Sequence, residues 1–280
     1  MLKTRVITAV VLLAVLLPVL FYDYFPGFAL LTTAFFAAAM WESLRLFKSR
    51  HALPWSLLCT IVFVRAVFFS SVLASGTTAF LLCTALWLVR FVPALGAGLP
   101  AIEGIGNRLL GIVYGFAIAG CFGAIVLLFQ HSPVYLLSVM ALVWIADIGA
   151  YFSGRAFGRH KLAPSISPGK SWEGAAGGAS AVLLAGGLCM LFAASWPLLQ
   201  DTFAVRLQQK FGVPGACAVL LLAAGASVVG DLFESMLKRR AGVKDSSNLL
   251  PGHGGVLDRI DALIPVLPLA ALISIWANAL

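Results

Sequence analysis

The sequence predicts an all-α, polytopic membrane protein of about nine transmembrane helices. Of its 280 residues, 61% are hydrophobic and only 11% are charged, and the mean hydropathy is +1.00. This composition is far from that of a soluble domain. The apolar residues form continuous runs and do not alternate with polar residues, which excludes a transmembrane β-barrel.

About nine apolar runs approach the roughly 20 residues that a helix needs to cross a bilayer. They lie at 6–22, 27–42, 54–74, 77–95, 108–129, 132–153, 173–195, 213–236 and 260–279. The fourth run is the weakest because Arg90 interrupts it. The first run resembles a signal peptide, but it continues into LPVLFYDYF without a small-residue cleavage site, so we expect a retained helix.

Basic residues are distributed unevenly between alternate loops. With the N-terminus in the cytoplasm, the loops expected on the outside contain only Arg206 and Lys210, and the remaining loop Lys and Arg residues lie inside. This distribution follows the positive-inside rule. The formal net charge of +8 therefore indicates topology, and we expect no nucleic-acid partner.

Few polar residues interrupt the predicted spans of the first half. Arg65 is the exception, and because a mid-bilayer charge costs about 2.5–3.5 kcal/mol, we expect it to have a partner or to snorkel. The segments GIVYG and GAAGG have the small-xxx-small spacing that lets helices pack closely. Five cysteines lie inside apolar runs without a C-x-x-C pair, as expected of small buried hydrophobic residues: Cys59, Cys83, Cys121, Cys189 and Cys217.

The polarity of the chain divides it into three regions. Residues 1–100 are predicted to form N-terminal transmembrane helices, 101–139 a middle transmembrane region, and 140–280 a C-terminal catalytic transmembrane domain. In this last region the loops 154–172 and 237–259 are polar and rich in Gly, Pro, Lys and Arg. The helices that enter these loops carry acids at their cytoplasmic ends, so we expect a cytoplasmic-facing active site there.

The segment GDLFESMLKRR places four polar residues on one helix face. Asp231, Glu234, Ser235 and Lys238 have i, i+3, i+4, i+7 spacing. Local i,i+4 pairs at a membrane boundary, such as Glu234 with Lys238, would explain this segment equally well. The segment by itself therefore favours neither a boundary face nor a functional site.

A second group of acids comes after the turn PGHGG, at Asp258 and Asp261. The two carboxylates project from the first turns of the next apolar helix, where anionic side chains are tolerated. Glycines in the turn allow backbone amides to approach an anion closely. If the two helices pack side by side, Asp231, Asp258 and Asp261 converge, and such oxygen ligands select hard cations such as Mg²⁺. The five Lys and Arg residues of 235–263 supply charge for phosphates.

The loop 154–172 adds candidate phosphate contacts. Asp147 lies near the end of the preceding span, and Lys161 and Lys170 lie in the loop. The tripeptide GKS at 169–171 suggests a Walker A motif, but Pro164 occupies the position of the required first glycine, so that interpretation fails. We expect two other polar residues, His131 and His160, to be ordinary loop residues.

The stretch from 235 to 261 closely resembles the signature of the phosphatidate cytidylyltransferases, also called CDP-diglyceride synthases. The matching positions are Ser235, Lys238, Arg239, Lys244, Asp245, Pro251, His253, Gly254, Gly255, Asp258, Arg259 and Asp261. The stretch DIGAYFSGRAFGRHKLAPSISPGKSWEG, 147–174, is similar to a second motif of that family, although Gly169 and Ser171 stand where Lys and Thr are more usual. The resemblance covers residues 140–280. The first half of the chain resembles the family only in its number of spans and its hydropathy.

The resemblance implies an enzyme of the bacterial cytoplasmic (inner) membrane that joins CTP to phosphatidic acid. Its products would be CDP-diacylglycerol and pyrophosphate. Its cofactor would be Mg²⁺, optionally with a monovalent cation such as K⁺. Its partners would be the lipid bilayer and a second copy of the chain in a homodimer. Asp231, Asp258 and Asp261 would hold metal and act with Lys238 in catalysis. Substrate contacts are expected from Ser235, Arg239, Lys244, Asp245, His253, Gly254, Gly255, Arg259, Lys170, Lys161 and Asp147.

Two other functions use similar residues. A CTP-dependent lipid kinase would transfer the γ-phosphate to a polyprenol-type alcohol and release CDP. A transporter or channel would place charged residues near mid-bilayer in several spans, whereas here they gather at one predicted cytoplasmic edge.

Overall fold

The chain folds into a bundle of apolar helices with one short β-hairpin. This architecture is seen in a computed structural model that describes residues 10–11, 14–15, 17–21, 24–69 and 76–278. The helices after residue 24 are α1 (Phe25–Leu46), α2 (Ala52–Phe69), α3 (Gly76–Leu86), α4 (Val92–Ala97), α5 (Ile105–His131), α6 (Pro133–Phe157), α7 (Trp172–Phe192), α8 (Pro197–Gln200), α9 (Phe203–Ala241), α10 (Leu257–Ile260) and α11 (Leu263–Trp276). A π-helical segment, Trp87–Phe91, joins α3 to α4, and strands β1 (Lys161–Ala163) and β2 (Ser167–Ser171) pair antiparallel between α6 and α7.

The lengths of these helices fit a multi-pass membrane protein. Within the described residues, 6 helices are long and apolar enough to cross a membrane, with the continuous helical stretch Gly76–Ala97 counted as one, and Ala52–Val67 and Leu263–Trp276 are shorter apolar helices. Each predicted run from 27–42 onward overlaps helical residues, and 70–74 of the run 54–74 lie outside the described residues. Eight of the 17 residues of the first predicted run, 6–22, lie outside the described residues, so the count of nine stays a prediction.

The long helix α9 contains a kink. Gly212 has φ 69, and Pro214 comes two residues later inside the helix. Proline has no backbone N–H to donate to the preceding turn, so the helical hydrogen-bonding pattern is interrupted here. The predicted eighth span begins at 213, directly after this kink.

Small residues allow α6 and α7 to pack closely. A Cβ on Gly178 would lie 2.5 Å from the carbonyl oxygen of Ala146, and a Cβ on Gly174 would lie 2.9 Å from that of Ala150. The prediction that GAAGG mediates helix packing is therefore confirmed. This contact fixes α7 against α6 and so fixes the hairpin that joins them.

The turns at one end of the bundle, where α5 meets α6 and α8 meets α9, carry an ion-pair cluster. Asp201 accepts a 3.0 Å hydrogen bond from Arg206 Nη2, and its Oδ1 lies 3.4 Å from His131 Nε2. His131 is the last residue of α5, so the expectation of an ordinary loop residue is wrong for it. His160 lies in the loop after α6 as expected, and its Nδ1 lies 2.6 Å from Glu173 Oε1.

Arg65 and the cysteines belong to the apolar helices. The guanidinium of Arg65 lies 5.2 Å from the ring centroid of Phe69, so a neighbouring aromatic ring is its contact. All five cysteines are free; Cys83 and Cys121 are buried as expected, whereas Cys59, Cys189 and Cys217 are half-buried.

Candidate active site

The polar residues of the C-terminal half gather at the other end of the bundle. The β-hairpin, the last turns of α9, the loop 242–256 and the short helix α10 meet there. The antiparallel register pairs Lys161 with Ser171. Ser171 then caps α7 by accepting a 3.1 Å hydrogen bond from Gly174 N, and this cap holds Lys170 at the start of the helix.

Lys170 reaches the polar face of α9. Its Nζ lies 2.5 Å from Asp231 Oδ2, and Ser235 Oγ donates a 3.3 Å hydrogen bond to the other oxygen, Oδ1. The loop 154–172 and the polar face of α9 therefore belong to one site. The sequence predicts both as parts of the site, but it does not predict this pairing.

Lys238 joins α9 to α10. It contacts Glu234 Oε2 one turn earlier on the same helix, and its Nζ donates a 2.6 Å hydrogen bond to Asp258 Oδ1. The side chain of Lys238 is 13% exposed, those of Glu234 and Asp258 0% and 4%. The predicted local pair with Glu234 is thus present, but it is half of an ion-pair group that connects two elements.

Asp258 is fully engaged by protein donors. Its Oδ2 accepts hydrogen bonds from Ser246 N at 2.9 Å, Ser246 Oγ at 2.9 Å and Gly255 N at 2.8 Å. Burial raises the pKa of this carboxyl, but the hydrogen bonds from Lys238, Gly255 and Ser246 outweigh burial and hold the pKa below its usual value. Asp258 is therefore a carboxylate that bears a negative charge at neutral pH.

Asp261 lies beside a different set of acids. A Cβ on Gly230 would lie 2.4 Å from the Asp261 carbonyl oxygen, so α9 and the start of α11 touch at this point and bring Asp231 near Asp261. Asp261 is buried, and its carboxylate interacts unfavourably with the charges of Asp231 and Asp147. Asp147, Asp231 and Asp261 thus form a group of mutually repelling carboxylates.

The predicted metal ligands divide between two environments. Among the residues described, no group of three His, Cys, Asp or Glu side chains is arranged to hold a metal ion. Asp231 and Asp261 influence each other, whereas Asp258 is turned toward Lys238, Ser246 and Gly255. Carboxylate oxygens such as those of Asp231, Asp261 and Asp147 are the type of ligand that a hard cation such as Mg²⁺ prefers. The triad with Asp258 remains a prediction, and it would need Asp258 to exchange partners.

The double-glycine turn is shaped by carboxylates of the protein itself. Gly254 has φ +86, and a Cβ on it would lie 2.7 Å from Asp258 Oδ2. A Cβ on Gly255 would lie 2.1 Å from Ser246 Oγ and 2.4 Å from Glu42 Oε1. The sequence predicts amides that turn toward an anion. Here the amide of Gly255 turns toward Asp258.

Glu42 is a site residue that the sequence analysis missed. It comes from α1 in the N-terminal half and is 0% exposed. Its carboxylate accepts hydrogen bonds from the backbone amides of Val256 and Leu257 and from the hydroxyls of Ser246 and Ser247. The signal in the sequence was an isolated acid at the last position of the predicted span 27–42.

The other predicted substrate-binding residues lie around this network. Arg259 Nη2 donates a 2.8 Å hydrogen bond to the His253 carbonyl oxygen and so closes the turn. His253 Nδ1 is buried and has no hydrogen-bond partner among the described residues. Four further residues are exposed: Lys161, Arg239, Lys244 and Asp245.

The sequence is similar to known proteins along nearly its whole length. The sequence profile of the cytidylyltransferase family matches residues 3–276. The phosphatidate cytidylyltransferase of Pseudomonas aeruginosa is 40% identical over 281 residues, which cover 99% of this chain and 98% of that protein. The protein of the same name from Haemophilus influenzae is 36% identical over 288 residues, 96% of each chain. That of Brucella suis is 48% identical over 126 residues, 45% of this chain and 41% of that protein.

Proposed function

The chain belongs to the cytidylyltransferase family, and we propose that it is a phosphatidate cytidylyltransferase. It transfers the cytidylyl group of CTP to phosphatidic acid and forms CDP-diacylglycerol and pyrophosphate for phospholipid synthesis. The observation that carries this function at the site is the linked set of cations and carboxylates at one end of the bundle. Lys170 contacts Asp231 there, and Lys238 contacts Asp258.

The reaction joins two anions. A phosphate oxygen of phosphatidic acid attacks the α-phosphorus of CTP, and the bond to the β-phosphate breaks as pyrophosphate leaves with its electron pair. The main barrier is charge repulsion, which positioning and fixed positive charge relieve. No protein nucleophile is needed for this displacement.

Lysines held by carboxylates suit this task. Lys238 and Lys170 are both fixed by ion pairs, so little reorganisation is required when phosphate oxygens replace a carboxylate partner. Arg239, Lys244 and Arg259 lie exposed around them and would meet the triphosphate as it arrives from water. His253 would hydrogen-bond the leaving pyrophosphate.

A divalent cation fits the acidic side of the site. Asp231 and Asp261, with Asp147, would hold it, and Asp258 would join them after exchanging partners. When bound, Mg²⁺ supplies positive charge that neutralises phosphate oxygens in the transition state. A monovalent cation such as K⁺ would add to this charge. The mutual repulsion of these carboxylates supports this assignment, because a cation would relieve it.

The location of the reaction depends on where its substrates lie. Phosphatidic acid lies in the bilayer and CTP in water, so the chemistry must take place where the two phases meet. We place the polar end of the bundle at the cytoplasmic side of the bacterial inner membrane, with the N-terminus in the cytoplasm. The positive-inside distribution of Lys and Arg supports this orientation. A homodimer is the assembly that we expect.

Position-specific labelling of CTP tests this function against its alternative. The purified protein is incubated in detergent with Mg²⁺, phosphatidic acid and CTP labelled at either the α- or the γ-phosphorus. A cytidylyltransferase places the α-label in the lipid and releases the γ-label as pyrophosphate. A lipid kinase acting on an added polyprenol would instead place the γ-label in the lipid and release CDP, and that result would overturn the proposal.

A further inference from the structure

Glu42 connects the two halves of the chain at the site. Its Oε1 accepts a 3.0 Å hydrogen bond from Val256 N, and its Oε2 accepts a 2.6 Å hydrogen bond from Leu257 N. Ser246 Oγ lies 3.2 Å from Oε2, and Ser247 Oγ lies 2.5 Å from Oε1. One carboxylate from α1 therefore receives hydrogen bonds from two serines within the loop 242–256, from the last residue of that loop and from the first residue of α10.

The loop is built around this carboxylate. Glu42 is 0% exposed and Ser246 is 4% exposed, so neither can replace a lost partner with bulk water. An unpartnered buried polar group costs about 1–3 kcal/mol, and more if it is charged. Gly255 leaves the space that the Glu42 carboxylate occupies, because a Cβ there would lie 2.4 Å from Oε1.

Ser246 links Glu42 to Asp258. Its hydroxyl lies 3.2 Å from Glu42 Oε2 and 2.9 Å from Asp258 Oδ2, and its amide also donates to Asp258 Oδ2. Asp258 in turn accepts from Lys238. A displacement of Glu42 would therefore move the donors that orient Asp258, and with them the lysine proposed to meet phosphate.

We propose that Glu42 is a positioning residue for the reaction, which fixes the loop 242–256 in the shape that receives the phosphates of CTP. This inference rests on the proposed function. Glu42 does not touch the reacting atoms and acts through Ser246 and the amides of Val256 and Leu257. The loop is the CTP side of the site because its basic residue Lys244 is exposed beyond the end of the α9 helix, where the substrate arrives from water.

The competing explanation is that Glu42 only fastens α1 to the C-terminal half. In that case its loss lowers the fraction of folded protein, which reduces kcat but leaves both KM values unchanged. A positioning role affects one substrate more than the other. The KM for CTP and the KM for phosphatidic acid, measured on the same preparation, therefore separate the two explanations.

The experiment uses the full chain in detergent with Glu42→Gln, which keeps the size of the side chain but replaces a carboxylate oxygen with a donor. We expect kcat/KM for CTP to fall about 10- to 100-fold, the effect of a misplaced catalytic constellation, with KM for CTP raised and KM for phosphatidic acid unchanged. Glu103→Gln, the same substitution at an exposed glutamate, should match the unchanged protein. Monodispersity and thermal midpoint are measured for each variant.

Substitutions on the loop side keep the test valid if Glu42→Gln fails to fold. Ser246→Ala should raise KM for CTP more than Ser247→Ala, because only Ser246 also contacts Asp258. Where Glu42→Gln does fold, the effect of Ser246→Ala in the double mutant should be less than multiplicative, as for residues that act together. Multiplicative effects, or unchanged KM values in all variants, would overturn the inference.

The control with unchanged protein separates this inference from the proposed function. If unchanged protein forms no CDP-diacylglycerol, the proposed function fails. If it forms the product and Glu42→Gln has an unaltered KM for CTP, the function stands and only the positioning role of Glu42 is lost.

Discussion

At the scale of single residues, the site depends on Lys238 compensating two buried carboxylates. Glu234 and Asp258 are 0% and 4% exposed at their side chains, and Lys238 contacts both. Removing one member of a buried ion-pair group typically costs about 3–5 kcal/mol, because the charge left behind is uncompensated. We expect Lys238→Met to lower the thermal midpoint of the detergent-solubilised protein markedly and to abolish transfer from CTP.

A second substitution separates the two roles of Lys238. Lys238→Met leaves the carboxylates of Glu234 and Asp258 without their cation. Adding Asp258→Asn removes one of these two uncompensated charges, so part of the lost stability should return while activity does not. Lys210→Met, at an exposed lysine near the opposite end of α9, is the matched control and should change neither property. Full activity in Lys238→Met would remove this lysine from the mechanism.

The glycine turn gives a second prediction at this scale. Gly254 and Gly242 both have positive φ, but only Gly254 faces a side chain, Asp258 Oδ2, within 4 Å of an added Cβ. Alanine at either position costs about 1–2 kcal/mol for the left-handed backbone. Gly254→Ala should also displace Asp258 and abolish activity per folded molecule, whereas Gly242→Ala should keep it. Equal specific activities would contradict this role of the turn.

At the scale of elements, the sequence predicts the helices well and their contacts poorly. Continuous apolar runs specify helices whatever surrounds them. The described residues of every run from 27–42 onward are therefore mostly helical, and the span at 213 begins at the Gly212–Pro214 kink. Pairs such as Lys170 with Asp231, or Glu42 with Val256, join residues that are far apart in the sequence. Tertiary packing alone creates them, and no local pattern marks them.

The α6–α7 seam yields a prediction about an element. A Cβ on Gly178 would lie 2.5 Å from the Ala146 carbonyl oxygen, whereas a Cβ on Gly187 of the same helix would meet nothing within 4 Å. Overpacking a close contact typically costs about 1–3 kcal/mol. Gly178→Ala should therefore lower the thermal midpoint and, by shifting the hairpin that carries Lys170, also lower activity.

Gly187→Ala is the comparison for this seam. Alanine is favoured over glycine inside a helix by about 1 kcal/mol, so this variant should be at least as stable as the unchanged protein. Thermal melts of the two variants in the same detergent test the seam. A Gly178→Ala variant as stable as Gly187→Ala would show that α6 and α7 are not closely packed there.

At the scale of the whole molecule, the candidate active site lies at one end of the bundle and the Asp201 ion-pair cluster lies at the other. Helix α9 runs from Phe203, beside Asp201, to Ala241, beside the site, and α6 likewise runs from Pro133 to the hairpin. A helix rises about 1.5 Å per residue, so the two polar clusters lie at opposite ends of the spans. Substitutions in the Asp201 cluster should therefore alter stability without altering either KM value.

Asp201 makes this separation measurable through pH. Partial burial raises the pKa of Asp201, but hydrogen bonds from Ser132 and Arg206 and the charge of His131 outweigh it, so the pKa lies below the usual 3.8. A carboxylate with a lowered pKa stabilises the folded state above its usual pKa, and this contribution is lost as the pH falls through the lowered value.

Asp201→Asn should thus melt at a lower temperature than the unchanged protein near neutral pH. The difference should amount to less than about 1 kcal/mol, since the group is partly exposed. It should vanish as the pH falls well below 3.8, because the unchanged protein then loses the same charge. Thermal melts across this pH range, with KM values measured at neutral pH, check both statements. If the difference in melting temperature between the two proteins grew toward low pH, or if Asp201→Asn raised the KM for CTP, the assignment of this cluster to stability alone would be contradicted.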